Sequence, residues 1–226
     1  MSDPLPLDHP RRPGLSRDDF MVAPCNAVAL AMLDGWRGWP RGKLVLTGPA
    51  GSGKTHLAHI WAGMAGARII AAVELTEADI PALATGPLVV EDVDDLASAA
   101  GEEALFHLHN LMRAEGHPLL LTGARAVAGW PLRLPDLRSR LQQAQSAVLE
   151  APDDALLTML LVKLFADRQL QVPRQVIDYL TRRMDRSFDG ARRVVAALDD
   201  ASLAERRAIT VRLAGEVLDK LDLAES

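Results

Sequence analysis

Eight residues near position 50 limit the fold of this chain more than any other part of the sequence. Residues 48–55 read GPAGSGKT, a glycine-rich loop followed by a lysine and a threonine. An apolar run, residues 44–46, precedes this loop, and a helical pattern begins near Thr55. A loop between a buried strand and a helix N-terminus directs several backbone N–H groups at one anion, so this order predicts a phosphate-binding loop. A glycine-rich turn without a ligand is the alternative, and eight matching positions favour the phosphate-binding interpretation.

The side chains of this loop predict specific contacts with a nucleotide. We expect Lys54 to reach the β- and γ-phosphates, and we expect the Thr55 hydroxyl to bind Mg²⁺, which takes few protein ligands beside phosphate oxygens and water. The predicted phosphate-binding residues are Pro49, Ala50, Gly51, Ser52, Gly53, Lys54 and Thr55.

Composition excludes several classes of protein. The 226 residues suffice for one large or two small domains, and the single cysteine, Cys25, cannot form an internal disulfide. No basic region followed by an apolar run opens the chain, so we expect no signal peptide, no membrane span and a cytoplasmic location. The net charge of −5 disfavours a mainly non-specific nucleic-acid role. Three arginine pairs in the C-terminal third, at 182–183, 192–193 and 206–207, are interpreted as solvated helix faces.

Short apolar runs alternate with helical patterns over the first two thirds of the chain. Continuous apolar runs are typical of parallel strands buried on both faces, so we predict an α/β fold with a wound, parallel, five-stranded sheet. The predicted strands are 43–47, 68–73, 88–91, 119–122 and 147–150, and the predicted helices are 26–36, 55–65, 102–114 and 137–143.

The pattern changes near residue 151, after which no segment is typical of a strand. Helical spacing over 153–167, 174–184, 189–198 and 211–221 predicts a small all-helical domain. The predicted organisation is an extended, flexible tail over 1–17, a nucleotide-binding base over 18–150 and a helical domain over 151–226.

A second acidic motif follows the third predicted strand. Residues 88–92 read LVVED, an apolar run ending in two acids, which is a Walker B pattern. We expect Glu91 to hold Mg²⁺ together with Thr55, and Asp92 to orient the attacking water. A strand running into an acidic turn is the alternative, since Asp94 and Asp95 follow closely.

Two arginines are candidates to complete such a site, namely Arg140 and Arg186. A guanidinium keeps its charge near pH 7 and grips phosphate oxygens in a fork, which suits it to stabilise a transferring phosphoryl group. Taken alone, each of them is more typical of a surface arginine.

Together these motifs resemble the DnaA clade of AAA+ ATPases, and most closely its Hda group of short DnaA homologues that regulate replication initiation. The resemblance covers nearly the whole chain. It lies in segments 19–26, 53–57, 106–111, 120–123, 134–141 and 185–191.

The resemblance implies roles for further residues. Met21, Val22 and Asn26 would border the adenine, and His56 would extend the phosphate loop. Thr122 falls in the sensor 1 strand. Arg140 would be an arginine finger offered in trans to a neighbouring subunit, and Arg186 would face the γ-phosphate from the lid, as sensor 2.

Partners and cofactors follow from the same resemblance. The implied ligands are ADP or ATP with Mg²⁺, and the implied partners are the initiator DnaA and the DNA polymerase sliding clamp. Leu5, Pro6 and Leu7 resemble the end of a clamp-binding peptide, although Ser2 stands where glutamine is expected and such a tripeptide also arises by chance. Because the sequence ends soon after its lid, we expect no sequence-specific binding of duplex DNA, and self-association stays open.

The expected function is stimulation of ATP hydrolysis by DnaA, with weak intrinsic ATPase activity in this chain. Two alternatives remain at this point. A helicase- or transposase-loader ATPase acting on single-stranded DNA complexes would show strong intrinsic turnover, and a nucleotide-gated adaptor would show no catalysis at all.

Overall fold

The computed structural model describes residue 17 and residues 20–224. Most of the predicted tail over 1–17, including Leu5, Pro6 and Leu7, lies outside the described residues. The clamp-binding peptide therefore stays a prediction.

A parallel five-stranded sheet forms the centre of the base, which confirms the predicted fold class. Its strands are β1 (Lys43–Thr47), β2 (Arg68–Ala71), β3 (Leu88–Glu91), β4 (Leu119–Gly123) and β5 (Gln145–Val148). They lie in the order β2-β3-β4-β1-β5, and every pairing is parallel. Because the carboxyl ends of parallel strands share one edge, the loops after β1, β3 and β4 meet there.

Helices cover the sheet on both faces. They are α1 (Pro24–Asp34), α2 (Lys54–Ala65), α3 (Ile80–Leu83), α4 (Ala99–Glu115) and α5 (Pro135–Gln142). One apolar cluster joins α1 and α2 to the sheet, and a second joins α4 and α5 to its other face. Helices α2 and α4 are followed by Gly66 and Gly116, and both glycines adopt the left-handed conformation that favours this residue at a helix end.

Two predicted strands differ from the structure. Strand β2 ends at Ala71 instead of residue 73, because a 3-10 helix (Ala72–Thr76) begins there and the Glu74 carboxylate accepts a 3.1 Å hydrogen bond from the Ala71 N–H. Strand β5 lies two residues earlier than predicted and forms a sheet edge. Three of its four residues are exposed, so the expectation of strands buried on both faces holds for β1 and β4 but fails at this edge.

Four helices follow the base, as predicted, and bury an apolar cluster of their own. They are α6 (Asp154–Asp167), α7 (Arg174–Arg183), α8 (Phe188–Glu205) and α9 (Val211–Ala224). Asp153 caps α6 by accepting a 2.8 Å hydrogen bond from the Leu156 N–H, and Ser187 caps α8 through the Gly190 N–H at 2.8 Å. Within the described residues, no helix is long and apolar enough to cross a membrane.

Leu120 provides a test of the central packing, since it is fully buried in β4 against the cluster that holds α2. We expect Leu120→Ala to lower the free energy of unfolding by about 2–5 kcal/mol, because it removes buried methyl groups and leaves a cavity. Urea denaturation followed by circular dichroism measures this. The control is Leu203→Ala at a side chain that is 70% exposed, where a change within about 0.5 kcal/mol is expected. Equal effects of the two substitutions would contradict the packing described.

Candidate nucleotide-binding site

The phosphate loop occupies the carboxyl edge of the sheet, between β1 and α2. Gly51 has φ +68° and Gly53 has φ +98°, values that glycine adopts without strain. A β-carbon at Gly51 would lie 2.2 Å from the Ser187 β-carbon, so the loop runs directly against the start of α8. The Phe188 N–H donates a 2.9 Å hydrogen bond to the Gly51 carbonyl oxygen, which ties the C-terminal helices to the loop.

Lys54 begins α2 and turns its ammonium back over the loop. Its Nζ donates hydrogen bonds to the carbonyl oxygens of Gly48 at 2.8 Å and Pro49 at 3.0 Å. Burial lowers the pKa of Lys54, and the carboxylates of Asp92 and Asp94 oppose this effect. The lysine is therefore held at the phosphate loop and beside acidic groups.

Asp92 follows β3 and is the acid that pairs electrostatically with Lys54. Its N–H donates a 3.0 Å hydrogen bond to the Thr122 hydroxyl, and its backbone is left-handed with φ 53°. Burial raises the pKa of Asp92, and the charge of Lys54 opposes the rise. Asp94, by contrast, accepts the Ala124 N–H on both carboxylate oxygens, at 3.0 and 2.9 Å, which braces the β4 loop.

A cavity of about 590 Å³ lies between the base and the C-terminal helices. This volume is typical of small-molecule sites. The base lines it with Ala50, Gly51, Gly53, Lys54, Thr55, His56 and Asp92, all of them predicted site residues. The start of α8 lines it with Phe188, Asp189 and Arg192. A second cavity of about 510 Å³ adjoins it and shares Ala50, Gly51, Asp189 and Arg192.

These residues fit a nucleoside phosphate with Mg²⁺. Glycines with positive φ, the N-terminus of α2 and Lys54 are suited to phosphate oxygens. The exposed hydroxyl of Thr55 and the Asp92 carboxylate line the same cavity and are oxygen ligands of the kind Mg²⁺ takes. Among the described residues, no three His, Cys, Asp or Glu side chains converge as a metal site.

Glu91 does not line this cavity, although its charge acts on the ammonium of Lys54. Successive side chains of a strand point to opposite faces, and Glu91 is the last residue of β3, paired with Ala71 of the neighbouring strand. The chain then turns sharply at Asp92, which brings that carboxylate to the cavity. Asp92 is therefore a further candidate metal ligand, and the role of Glu91 stays a prediction.

Arg186 also lies outside the cavity. It precedes the cap of α8, is exposed, and forms an ion pair with Asp154 at the start of α6. Arg192, in the second turn of α8, lines both cavities instead and lies 3.8 Å from Asp189. Arg192 is therefore a second lid arginine, which lies at the phosphate loop, and the sensor 2 role of Arg186 stays a prediction.

Thr122 and Asn26 have structural partners that the sequence did not predict. Thr122 is fully buried, and its hydroxyl accepts the Asp92 N–H, so it positions the acid without facing the cavity. Asn26 is 1% exposed; its side-chain oxygen accepts the Ala23 N–H at 2.9 Å, and its amide donates to the Met21 carbonyl at 2.9 Å. Asn26 thus fixes the segment before α1, which contains Met21 and Val22.

The remaining predicted residues surround the site without lining it. Met21 packs against the C-terminal helices, Val22 is exposed, Pro49 accepts the Lys54 hydrogen bond, and Ser52 is buried in the loop. Arg140 lies at the opposite edge of the sheet, near the amino ends of the strands, where Gln145 of β5 is paired with Leu44.

Sequence reasoning missed several residues that line the cavity, namely Phe20, Asp94, Asp95, Ala124, Phe188, Asp189 and Arg192. One signal was available for two of these. Phe188 and Arg192 are four residues apart at the start of a helix, which places both side chains on one face. Phe20 contacts His56 edge-on, with ring centroids 5.1 Å apart, a long-range contact that no local pattern indicates.

Comparison with known proteins agrees with this geometry. Residues 153–223 match the family model for the Hda lid domain. Domain III of the replication initiation protein DnaA from Thermotoga maritima matches with a TM-score of 0.81 at 19% identity, over 92% of this chain and 97% of that chain. AMPPCP-bound DnaA from Aquifex aeolicus matches with a TM-score of 0.70 at 18% identity, over 86% of this chain and 70% of that one.

A third likeness lies outside the initiators. The RuvB Holliday junction branch migration motor of Thermotoga maritima has a TM-score of 0.70 at 22% identity, over 93% of this chain and 73% of that one. At these identities the solved structures establish a shared fold. The chain therefore has the AAA+ fold seen in domain III of DnaA, and its C-terminal helices match the Hda lid domain over residues 153–223.

Proposed function

We propose that this chain binds ADP or ATP between its base and lid and regulates replication initiation by stimulating the hydrolysis of ATP held by DnaA. The observation that carries the proposal is the match of residues 153–223 to the Hda lid, since the structural likenesses alone indicate only the fold. The resemblance to Hda-type regulators implies the regulation of replication initiation through ATP hydrolysis by DnaA.

The residues of this chain have separate tasks in nucleotide binding. The phosphate loop and Lys54 hold the phosphates, while Thr55 and Asp92 would hold Mg²⁺, which supplies charge neutralisation between phosphate oxygens when bound. Arg192 approaches from the lid and reports on the phosphates through lid position. Met21 and Val22 lie on the segment between the α/β base and the lid. This segment is suited to contact the adenine of the nucleotide.

Arg140 cannot serve the nucleotide of its own chain, because the sheet separates it from the phosphate loop. Lys54 follows the carboxyl end of β1, whereas Arg140 is in the last turn of α5 at the amino edge. Its Nη1 donates a 2.6 Å hydrogen bond to Asn110 Oδ1, and its guanidinium lies 5.1 Å from the centre of the Phe106 ring. This placement supports a role in trans, at a nucleotide held by another AAA+ chain.

The sliding clamp is the proposed scaffold for this reaction. Leu5, Pro6 and Leu7 are the proposed clamp contacts, at the start of a sequence whose described part begins at residue 17. Docking there would couple hydrolysis by DnaA to ongoing replication.

Gly51 tests whether loop and lid must meet for nucleotide binding. We expect Gly51→Ala to raise the Kd for a fluorescent ADP analogue by at least about tenfold, because a left-handed alanine is strained and its β-carbon collides with Ser187. Fluorescence titration measures this. Gly63→Ala, in α2 with no atom within 4 Å of the new β-carbon, is the control and should leave the Kd unchanged. Wild-type affinity of Gly51→Ala for the ADP analogue would argue against a need for contact between the loop and the lid.

Arg192 tests which lid arginine reads the phosphates. Arg192→Gln should weaken binding of a non-hydrolysable ATP analogue by about tenfold, since one charge-assisted hydrogen bond contributes about 1.5–3 kcal/mol, with a smaller loss for ADP. Isothermal titration with both ligands measures the difference. Arg186→Gln is the matched control, for which a change within about twofold is expected because Arg186 pairs with Asp154 outside the cavity. The reverse order of effects would restore Arg186 as the sensor.

Arg140 tests the proposed function itself. In a reconstituted assay with ATP-loaded DnaA and the DNA-loaded clamp, Arg140→Ala should remove the stimulation of hydrolysis, an effect of about 10³-fold where arginine fingers act. Arg140→Lys should rescue little, because an ammonium lacks the planar fork. Arg174→Ala, at a side chain 93% exposed on α7, is the control. Undiminished stimulation by Arg140→Ala would refute the proposal, and fast turnover dependent on Lys54 without DnaA would favour a loader-type motor.

A further inference from the structure

Four cations from separate elements meet at the amino edge of the sheet. Lys43 opens β1, Arg41 lies in the 3-10 turn Pro40–Gly42, Arg113 is in the last turn of α4, and Arg140 is in the last turn of α5. We refer to Arg41, Lys43, Arg113 and Arg140 as the amino-edge cations. Their proximity has an electrostatic effect: burial first, and then Arg113, Arg41 and Arg140 in turn, lower the pKa of Lys43 to about 8.

The side-chain partners of these cations are neutral. Arg41 Nη1 donates to Gln143 Oε1 at 3.1 Å, and Lys43 contacts Nε2 of the buried His109. Burial and the Lys43 charge lower the pKa of His109 to about 4, so this imidazole is uncharged at neutral pH. Within residues 20–224, none of the amino-edge cations forms an ion pair with a carboxylate.

Several other arginines of this acidic chain, by contrast, have a carboxylate beside them. Arg168 lies 3.7 Å from Asp199, and Arg207 lies 2.6 Å from Glu216. Like charges held together without carboxylates repel one another, which disfavours the cluster in isolation. A bound anion removes the cost of this repulsion. The cluster is therefore suited to bind an anion.

The orientation of Arg140 identifies the kind of anion. An amide oxygen on Asn110 and the face of Phe106 fix the guanidinium, while its charge stays uncompensated by any described carboxylate. A planar fork held in this way matches phosphate oxygens. The cations come from four different elements instead of forming a stripe along one of them, and Arg140 is half-buried. The surface therefore fits a compact polyphosphate better than the extended backbone of DNA.

We infer that the amino-edge cations form a receiving site for the polyphosphate of a nucleotide bound to a second AAA+ chain, with Arg41 and Arg113 acting as positioning residues around Arg140. The inference rests on the proposed function and extends it. Arg41 and Arg113 steer and seat the partner's phosphates electrostatically, whereas Arg140 alone contacts the reacting group.

The test compares the double variant Arg41→Gln/Arg113→Gln with Arg140→Ala in the assay with ATP-loaded DnaA and clamp. We expect the double variant to raise the concentration of this chain needed for half-maximal stimulation by about tenfold, with the maximal rate changed by less than about twofold. The defect should depend on ionic strength between about 50 and 200 mM salt, as a steering effect does. Arg140→Ala should instead lose the maximal rate.

Two controls separate this effect from misfolding and from general loss of charge. Arg174→Gln/Arg182→Gln removes two exposed charges from α7 and should leave the half-maximal concentration unchanged. Each variant should bind the fluorescent ADP analogue with wild-type affinity, because the amino-edge cations lie at the other edge of the sheet from the phosphate loop.

The possible failures are distinguishable. If Arg140→Ala abolishes stimulation while Arg41→Gln/Arg113→Gln behaves like the α7 control, the receiving site is refuted and the proposed function stands. If Arg140→Ala stimulates hydrolysis normally, both the receiving site and the proposed function are refuted. If the double variant loses binding of a single-stranded oligonucleotide, measured by fluorescence anisotropy, but keeps normal stimulation, the cluster binds DNA and the inference is overturned.

Discussion

The contact between Gly51 and the start of α8 determines how the two halves of the molecule work together. The Phe188 N–H reaches the Gly51 carbonyl oxygen at 2.9 Å, and Ser187 fills the space where any other residue at position 51 would place a β-carbon. The same turn of chain caps α8 through Ser187 and presents Phe188, Asp189 and Arg192 to the cavity. A shift of the phosphate loop on nucleotide binding must therefore move α8, and a change of lid position must displace the loop.

The parallel sheet separates the two tasks of the chain. Its carboxyl edge collects the phosphate loop, Asp92 and the lid, while its amino edge carries Arg140 and the neighbouring cations. A chain built in this way is suited to hold one nucleotide at one edge and to offer an arginine from the other. This geometry suits a regulator that uses its own nucleotide to set its shape and acts on the nucleotide of a partner.

Features set by local sequence could be predicted, and features set by long-range packing could not. The order of residues 48–55, the positions of β1 and β3, and the helix ends at Gly66 and Gly116 depend on short stretches of chain. The position of Asp92 at the cavity depends on a left-handed turn after β3, which adjacent acids do not reveal.

The positions of the arginines and of Asn26 likewise could not be predicted from local sequence. The choice between Arg186 and Arg192 depends on where α8 begins, and the role of Asn26 depends on its burial under the Met21 segment. The amino-edge cations are contributed by four elements spread over 100 residues, from Arg41 to Arg140, and only the fold brings them together.

The central claim is that the hydrolysed nucleotide belongs to the partner. The most direct measurement is a single-turnover experiment in which this chain carries unlabelled ADP, DnaA carries γ-labelled ATP, no free nucleotide is present, and the clamp is loaded on DNA. Rapid release of labelled phosphate that requires Arg140 is expected if the hydrolysed nucleotide is the one held by DnaA. Release only when the labelled ATP is bound to this chain, with a requirement for Lys54, would contradict this claim.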